Sequence, residues 1–310
     1  MLDVVTAGEA MVLFAAESPG PLERVATFAR HSAGAELNVA IGLARLGLRV
    51  GYVSRLGNDS FGRYLASVLD REDIDRSRVE IDPTQSTGFM LKSRGDDGRD
   101  PAIEYHRRGS AASLLRPEPG LAAYCASARH LHLTGISPAL SEGMRHFTFG
   151  VATQARERGQ RLSFDPNIRL ALWPDRRDMV ETLNALAALS DLVLPGVEEG
   201  RLLTGCAHPR DIAEFYLRGG ARQVVVKLGP RGALCADSDG RFVAVPGLSV
   251  DKVVDTVGAG DGFAVGVISA LLEGHSLETA AHRGNAIGAR VIQFPGDCDG
   301  LPTREQLSRR

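Results

Sequence analysis

The chain has 310 residues, 44% of them hydrophobic, and a formal net charge of −2. This composition is ordinary for a soluble globular enzyme, and it argues against a protein that binds nucleic acid through broad phosphate neutralisation. No apolar run approaches the ~20 residues of a membrane span, the N-terminus shows no secretion signal, and the four scattered cysteines fit a reducing compartment. We therefore expect a cytoplasmic protein that binds neither nucleic acid nor membrane.

Short β-branched runs alternate with segments of helical periodicity along the chain. The runs predict strands at 3–8, 50–57, 130–135, 161–165, 191–196 and 223–229. The periodic segments predict helices at 37–46, 141–158, 176–189, 210–217, 260–273 and 277–291. This alternation predicts a single α/β domain over 1–310, with a mainly parallel sheet covered by helices on both faces. Such sheets bind ligands at the carboxyl ends of their strands.

Two stretches, about 10–34 and 85–110, interrupt this alternation with strand-like runs. In the second stretch, two such runs flank Gly95-Asp96-Asp97-Gly98, which is a hairpin turn signal. They could be surface decoration, but we interpret them as a small β-sheet lid over the ligand edge of the main sheet.

The string VVDTVGAGDGF, residues 253–263, joins a strand-like run to a predicted helix. Small residues at Gly258, Ala259 and Gly260 leave backbone N–H groups free to hold phosphate at the helix start. A carboxylate at Asp261 would repel phosphate, so it is unsuited to bind phosphate directly. We interpret it as a general base for a hydroxyl that attacks a phosphoryl group. The alternative is that Asp261 only decorates the N-terminus of the helix.

A second motif, AGAELNVAIGLARLGLRVGYVSRLGND, resembles the first signature of the ribokinase-like (PfkB-type) carbohydrate kinases through Gly34, Asn38, Ala40, Gly47 and Gly57. The string DTVGAGDGF resembles the second signature of the same family, and the resemblance covers essentially the whole chain. It implies a ribokinase-like fold with a β lid and ATP-dependent phosphorylation of a sugar hydroxyl, with ATP and Mg²⁺ as cofactors.

Most site residues are implied by this resemblance. It makes Asp261 the catalytic base and the backbone of Gly258, Ala259 and Gly260 an anion hole for the transferred phosphoryl group. It also implies nucleotide contacts in the loop after a late strand, at Lys227, Gly229, Arg231 and Gly232, and a contact near the adenine at Asn285.

The resemblance also implies metal contacts. Relatives often carry N-x-x-E after a central strand to bind the magnesium hydration shell, whereas this chain has Gly196 in place of the asparagine and keeps the acid at Glu199. We expect Glu199 to contact Mg²⁺ through water. Asp255 and Val257 occupy positions that hold a monovalent cation, such as K⁺, in some relatives.

The strings GAELN, EYHRRGSAAS and FDPNIRLALW resemble the branch of the family that phosphorylates 2-keto-3-deoxygluconate. The resemblance implies substrate contacts at Gly34, Ala35, Asn38, Tyr105, Arg107, Asn167 and Arg169. Arginines suit a sugar acid, because a guanidinium binds a carboxylate bidentately. The alternatives are a solvated lid face for Arg107 and an ion pair or ATP-phosphate contact for Arg169. Glu9 matches an acidic position near the sugar pocket but could also be an exposed charge.

We therefore predict a kinase that binds a small sugar acid and ATP, and that forms a homo-oligomer through its lid. Within the family, the acceptor could instead be fructose, ribose or a nucleoside, and the gluconate and galactonate epimers are not distinguished. From another class, the chain could be a non-catalytic regulator that binds a sugar or nucleotide, although such a protein has no need of the base Asp261.

Overall fold

A computed structural model describes residues 1–94 and 101–308. Its strands are β1 (Val4–Ala7), β2 (Met11–Pro19), β3 (Phe28–Ala33), β4 (Val50–Gly57), β5 (Asp75–Asp82), β6 (Phe89–Arg94), β7 (Ile103–His106), β8 (His130–Thr134), β9 (Arg161–Asp165), β10 (Leu192–Val193), β11 (Gln223–Lys227), β12 (Gly232–Asp237) and β13 (Phe242–Pro246). Its helices are α1 (Ala35–Arg45), α2 (Ser60–Arg71), α3 (Leu121–Ala126), α4 (Ser137–Leu140), α5 (Glu142–Glu157), α6 (Arg176–Leu189), α7 (Val197–Thr204), α8 (Pro209–Arg218), α9 (Ala259–Leu272), α10 (Leu277–Val291) and α11 (Arg304–Ser308).

Nine strands form one large sheet in the order β13-β12-β11-β10-β9-β8-β1-β4-β5. The neighbours from β11 to β5 pair in parallel, and the edge strands β12 and β13 are antiparallel. Helices cover both faces: Val4 belongs to an apolar cluster with residues of α1, α2, α9 and α10, whereas Val5 belongs to a second cluster with residues of α5, α6 and α8. Alternate residues of a strand face opposite sides, so these are two apolar layers on one sheet. The predicted α/β class is confirmed.

All six predicted helices are present, with bounds shifted by at most two residues. Strand β10 is shorter than the predicted run. The sequence analysis missed α2, whose first turn is capped by the side chain of Asp59, which accepts from the N–H of Gly62 at 2.7 Å. It also missed β5, because an edge strand with the sequence DRSRVEID has no apolar run to identify it.

A separate four-stranded sheet, hereafter the small sheet, has the order β3-β2-β6-β7. Its outer pairs are antiparallel, and β2 pairs with β6 in parallel. The strand-like runs near 10–34 and 85–110 are thus confirmed as one small sheet, and its action as a lid stays a prediction. The predicted turn at 95–98 lies outside the described residues. Among the described residues, no helix has the length and apolarity that crossing a bilayer requires.

Close packing of α9 on α10 predicts opposite effects for two helical glycines. In Gly266→Ala, the new Cβ would lie 2.5 Å from the backbone nitrogen of Gly284, so we expect a loss of about 1–3 kcal/mol of unfolding free energy from overpacking. The matched control Gly150→Ala, on the exposed face of α5 with nothing within 4 Å of the new Cβ, is expected to gain about 0.5–1 kcal/mol. Urea unfolding measures both, and a stabilised Gly266→Ala would contradict this packing.

Candidate active site

A cavity of about 420 Å³ lies where the carboxyl ends of the large sheet face the small sheet. Most of the residues predicted to bind substrate or phosphate line it: Gly34, Ala35, Asn38, Tyr105, Arg107, Asn167, Arg169, Glu199, Lys227, Val257, Gly258, Gly260 and Asp261. Residues from both ends of the chain therefore meet in one cleft, as expected for the ligand edge of an α/β sheet.

Asp261 lies in the first turn of α9 and is 9% exposed. One carboxylate oxygen accepts from Nδ2 of Asn38 at 2.7 Å, and the other lies 3.3 Å from Nδ2 of Asn167. Burial raises the pKa of Asp261 to about 7; the bond from Asn38 opposes this shift, and the nearby charge of Asp165 adds to it. A carboxylate with such a pKa can take up a proton near neutral pH.

The approach of two helices brings Asn38 to Asp261. Gly42 of α1 packs against α9 so closely that a Cβ there would lie 2.5 Å from a methyl group of Val265. Gly34, which precedes α1, has φ +131°, and a Cβ there would lie 2.3 Å from the carbonyl oxygen of Glu9. Glycine is required at both positions because any side chain would separate these elements.

Asn167 reaches Asp261 from the loop after β9. Its φ is +38°, a left-handed conformation that asparagine tolerates better than most residues. This backbone turn places the side-chain amide against the carboxylate. The two described hydrogen-bond partners of Asp261 are therefore neutral amides, and the more distant positive charge of Arg169 acts to lower its pKa.

The N-terminus of α9 faces the cavity with small residues. Gly258 caps the helix at φ +83°, and Gly260 follows with a backbone so open that the nearest atom to an added Cβ is Nζ of Lys227, at 3.6 Å. Lys227, at the end of β11, forms an ion pair with Asp165 at 2.6 Å. Burial works to lower the pKa of Lys227, but the charges of Asp165 and Glu199 outweigh it and raise that pKa. A helix N-terminus and a charged ammonium together favour an anion here.

Both carboxylate oxygens of Glu199 accept hydrogen bonds from backbone N–H groups. It accepts from the N–H of Gly196 at 2.7 Å, which caps α7, and from the N–H of Ile168 at 2.8 Å, which fixes the loop after β9. The expected magnesium contact of Glu199 through water stays a prediction. A carboxylate has further lone pairs to accept water besides these two bonds.

Arg107 and Glu9 form a buried ion pair at the edge of the small sheet. Arg107 is 7% exposed, and its Nε and Nη2 lie 2.6 and 2.5 Å from Oε2 of Glu9. Ser110 donates to the other oxygen of Glu9, which is 1% exposed. Neither residue is a solvated charge, so the surface alternatives for both are wrong. The guanidinium of Arg107 also lies 5.6 Å from the ring centre of Tyr105.

Arg169 is half-buried on the opposite wall of the cavity. Its Nη1 donates to the carbonyl oxygen of Ile168 at 3.1 Å. Within residues 1–94 and 101–308, no carboxylate lies at ion-pair distance from this guanidinium. The structural ion pair considered for Arg169 is therefore absent from the described part of the chain, and the cation faces the cavity.

The remaining predicted nucleotide residues lie outside the cavity. Gly229 and Gly232 have positive φ in the turn between β11 and β12, Arg231 is exposed in the same turn, and Asn285 of α10 donates to the carbonyl oxygen of Pro246 at 2.9 Å. Ala259 starts α9 without lining the cavity. Their roles toward ATP stay predictions.

Asp255 has a cationic partner that the sequence analysis did not identify. One of its oxygens accepts from the N–H of Val257 at 2.9 Å, and the other contacts the ammonium of Lys92 from β6. Asp297 lies 2.9 Å from the same ammonium. Lys92 and Asp255 are 163 residues apart, so no local pattern could have paired them.

The family model for pfkB family carbohydrate kinases matches residues 1–304. The chain belongs to the pfkB family of carbohydrate kinases. Over 310 residues this kinase is 51% identical to a 2-dehydro-3-deoxygluconokinase of Bacillus subtilis (strain 168), covering 99% of this chain and 94% of that protein. It is 34% identical to a 2-dehydro-3-deoxygluconokinase of Thermoproteus tenax, covering 98% of this chain and 92% of that one.

Solved structures share the fold of this kinase. A PfkB protein from Polaromonas sp. JS666 superposes with a TM-score of 0.92 at 49% identity, covering 100% of both chains. A candidate ribokinase II of E. coli in complex with ATP and Mg²⁺ gives 0.91 at 26% identity, with 100% and 98% coverage. A double-mutant fructokinase of Vibrio cholerae O395, bound to fructose, ADP and potassium ion, gives 0.84 at 26% identity, with 99% and 98% coverage.

The raised pKa of Asp261 predicts a stability cost at the site. The folded state disfavours the charged form, so the cost is absent below the unfolded pKa near 4 and complete above about pH 7. Asp261→Asn is therefore expected to raise Tm at about pH 8 and to raise it less at about pH 5. Thermal unfolding at both pH values measures this, with exposed Asp251→Asn as the control. The same change in Tm at both pH values would show that ionisation of Asp261 carries no such cost, since any mismatch of the new amide with Asn38 and Asn167 acts at both.

Proposed function

We propose that this kinase transfers the γ-phosphoryl group of ATP to the C6 primary hydroxyl of 2-keto-3-deoxygluconate, with Asp261 as general base. The placement of Asp261 carries the proposal: a buried carboxylate of raised pKa lies at the N-terminus of α9, between two orienting amides. The substrate assignment is supported by the 51% identical relative named 2-dehydro-3-deoxygluconokinase.

In the proposed reaction, Asp261 accepts the proton of the sugar hydroxyl while the oxygen of that hydroxyl bonds to the γ-phosphorus. The bond from that phosphorus to the bridging oxygen breaks, and ADP leaves with the electron pair. Asn38 and Asn167 hold the carboxylate toward the acceptor. A base of pKa about 7 accepts this proton better than an ordinary aspartate, because proton affinity rises with pKa.

The phosphate groups are expected to lie against the N-terminus of α9 and Lys227. Backbone N–H groups at Gly258 to Gly260 and the ammonium beside Gly260 stabilise negative charge on the transferred group. Closure of the small sheet over the cavity would exclude water, which otherwise competes as acceptor.

Magnesium fits this site as a companion of ATP. The described residues contain no cluster of three or more His, Cys, Asp or Glu side chains suited to a metal, and Mg²⁺ commonly keeps several waters and substrate phosphates as ligands. Glu199, through water, is the side chain that would hold it. When bound, the ion shields the phosphate oxygens from the attacking hydroxyl.

Arg169 is the residue we assign to the substrate carboxylate. It lines the cavity and has no carboxylate partner in the described chain, whereas the charge of Arg107 is already matched by Glu9. Arg107 and Tyr105 form the wall on the small-sheet side. Gly34 and Ala35 border the same cavity with backbone that a sugar hydroxyl can approach.

A kinase of another sugar in the same family is the second candidate, because a fructokinase structure shares the fold at 26% identity. Asp261 argues against a non-catalytic regulator, because a protein that only binds a sugar or nucleotide has no need of a buried carboxylate of raised pKa. Pairing of two subunits through the small sheet and a cytoplasmic location remain part of the proposal.

Substitution of the base tests the mechanism. Asp261→Asn is expected to lose about three or more orders of magnitude in turnover while ATP affinity changes little, because the amide cannot accept the proton. In the unsubstituted enzyme, kcat/KM should fall about tenfold per pH unit below pH 7, as the carboxyl of Asp261 becomes protonated. Substantial turnover by the amide variant would remove Asp261 from this role.

The substrate assignment is tested by a coupled assay of ATP consumption with 2-keto-3-deoxygluconate, its galactonate epimer, fructose and ribose. We expect the sugar acids to react and the neutral sugars to react poorly. Arg169→Gln should raise KM for the acid by about 10–100-fold and leave KM for ATP nearly unchanged, since a charge-assisted bond is lost.

Exposed Arg177→Gln is the matched control and should change neither constant. A preference for neutral sugars would refute the acidic substrate. If only the KM for ATP rose, Arg169 would contact the phosphates of ATP rather than the substrate carboxylate.

A further inference from the structure

A lysine of the small sheet lies buried beside the loop that starts α9. Lys92 is in β6, and its side chain is 2% exposed. Its ammonium donates to the carbonyl oxygen of Pro295 at 2.9 Å, to Oδ1 of Asp297 at 2.9 Å and to a carboxylate oxygen of Asp255. An ammonium has three N–H donors and no acceptor, so each hydrogen has an oxygen partner.

The charge of Lys92 is needed where it lies. Asp255 and Asp297 are 8% and 3% exposed, and two buried carboxylates side by side repel each other unless a cation lies between them. Three oxygens surround the Lys92 ammonium, two from carboxylates and one from a carbonyl, and this arrangement favours a positive charge.

The oxygens bound to Lys92 belong to residues that fix the anion hole. Asp255 accepts from the N–H of Val257 at 2.9 Å, in the turn before the helix. Asp297 approaches Gly258 so closely that an added Cβ would lie 2.7 Å from its carbonyl oxygen. Because Gly258 caps α9, the position of the ammonium controls the backbone that would receive phosphate.

The family resemblance implied a monovalent cation at Asp255 and Val257, and the related fructokinase structure contains potassium ion. Two carboxylates and a carbonyl are the oxygen ligands that a hard cation takes, but here the Lys92 ammonium already lies among them. We propose that the ammonium of Lys92 takes the place of the monovalent cation, so that this kinase keeps its anion hole ordered without potassium.

Lys92 is thus a positioning residue, which acts on the reaction only through the turn at 255–258. The chain has three lysines, Lys92, Lys227 and Lys252. Lys227 faces the phosphate side, and Lys252 is exposed. Of these three lysines, Lys92 is the one that joins the small sheet to the loops around the start of α9.

A neighbouring cavity gives access to this cluster. It measures about 510 Å³ and is lined by Lys92, Asp255 and Pro295 among others. When the Lys92 side chain is shortened, K⁺ can enter from this cavity and reach the oxygens that the ammonium leaves. Tetramethylammonium carries the same charge but is too bulky to take that place.

The first experiment uses the unsubstituted kinase. Its Tm and its turnover are compared in potassium chloride and in tetramethylammonium chloride at equal ionic strength. We expect the two salts to give the same Tm and turnover within about twofold. A loss of turnover or Tm in the potassium-free salt would overturn the proposal.

Variants provide the specific test. Lys92→Ala in tetramethylammonium chloride should lose Tm and about tenfold or more in turnover, because two carboxylates are left unpaired. Potassium chloride should restore a large part of both. Lys92→Met, which fills the space without a charge, should show the same loss with little rescue, and Lys252→Ala, on the same cavity, should behave like the unsubstituted kinase.

Absence of potassium rescue in a folded Lys92→Ala protein, or equal rescue by both salts, would overturn the proposal. If Lys92→Ala does not fold, the salt comparison on the unsubstituted kinase still decides. The activity readout rests on the proposed function, whereas the Tm readout needs no substrate. A wrong sugar assignment would therefore abolish turnover in every salt and leave the potassium effect on Tm intact.

Discussion

The site depends on one buried carboxylate at the positive end of a helix, Asp261, which forms no ion pair with any of the described residues. In the proposed reaction Asp261 serves the hydroxyl that attacks phosphate, and burial beside the N–H groups of α9 raises its pKa to about 7. Two amides from distant segments, Asn38 and Asn167, hold it in place. Glycines at 34 and 42 exist because α1 must approach closely enough to deliver the first of these amides.

Several other buried carboxylates near the cavity lie beside a cation, whereas Glu36 accepts from the hydroxyls of Thr134 and Ser137. Three groups have a cation in direct contact: Asp165 with Lys227, Glu9 with Arg107, and the Asp255 and Asp297 pair with Lys92. A buried charge is costly unless it is paired, so each of these ion pairs offsets part of the cost of burial. Within the described part of the chain, the side chains that hydrogen-bond to Asp261 are the neutral amides of Asn38 and Asn167.

The small sheet lines one side of the cavity, and it also supplies positively charged side chains. Two of these cations, Lys92 and Arg107, come from β6 and the turn after β7. Arg107 binds Glu9 in the connection between β1 and β2, whereas Lys92 binds Asp255 before α9 and Asp297 after α10. Displacement of β6 would therefore leave Asp255 and Asp297 without this partner. In our proposal, the position of the small sheet and the order of the anion hole are linked through the contacts of Lys92.

The sequence alone determined the α/β alternation, six of the helices and the Gly258–Asp261 motif, because each of these signals is local. It missed α2, although Phe61, Leu65, Val68 and Leu69 recur there at helical spacing, and the charged edge strand β5, which has no apolar run. It also placed a cation at Asp255 without identifying Lys92, which lies 163 residues away. Only the tertiary structure decided which charges meet, since burial and pairing depend on segments that fold together from both ends of the chain. The pKa of Asp261 follows from that same burial, and no local pattern specifies it.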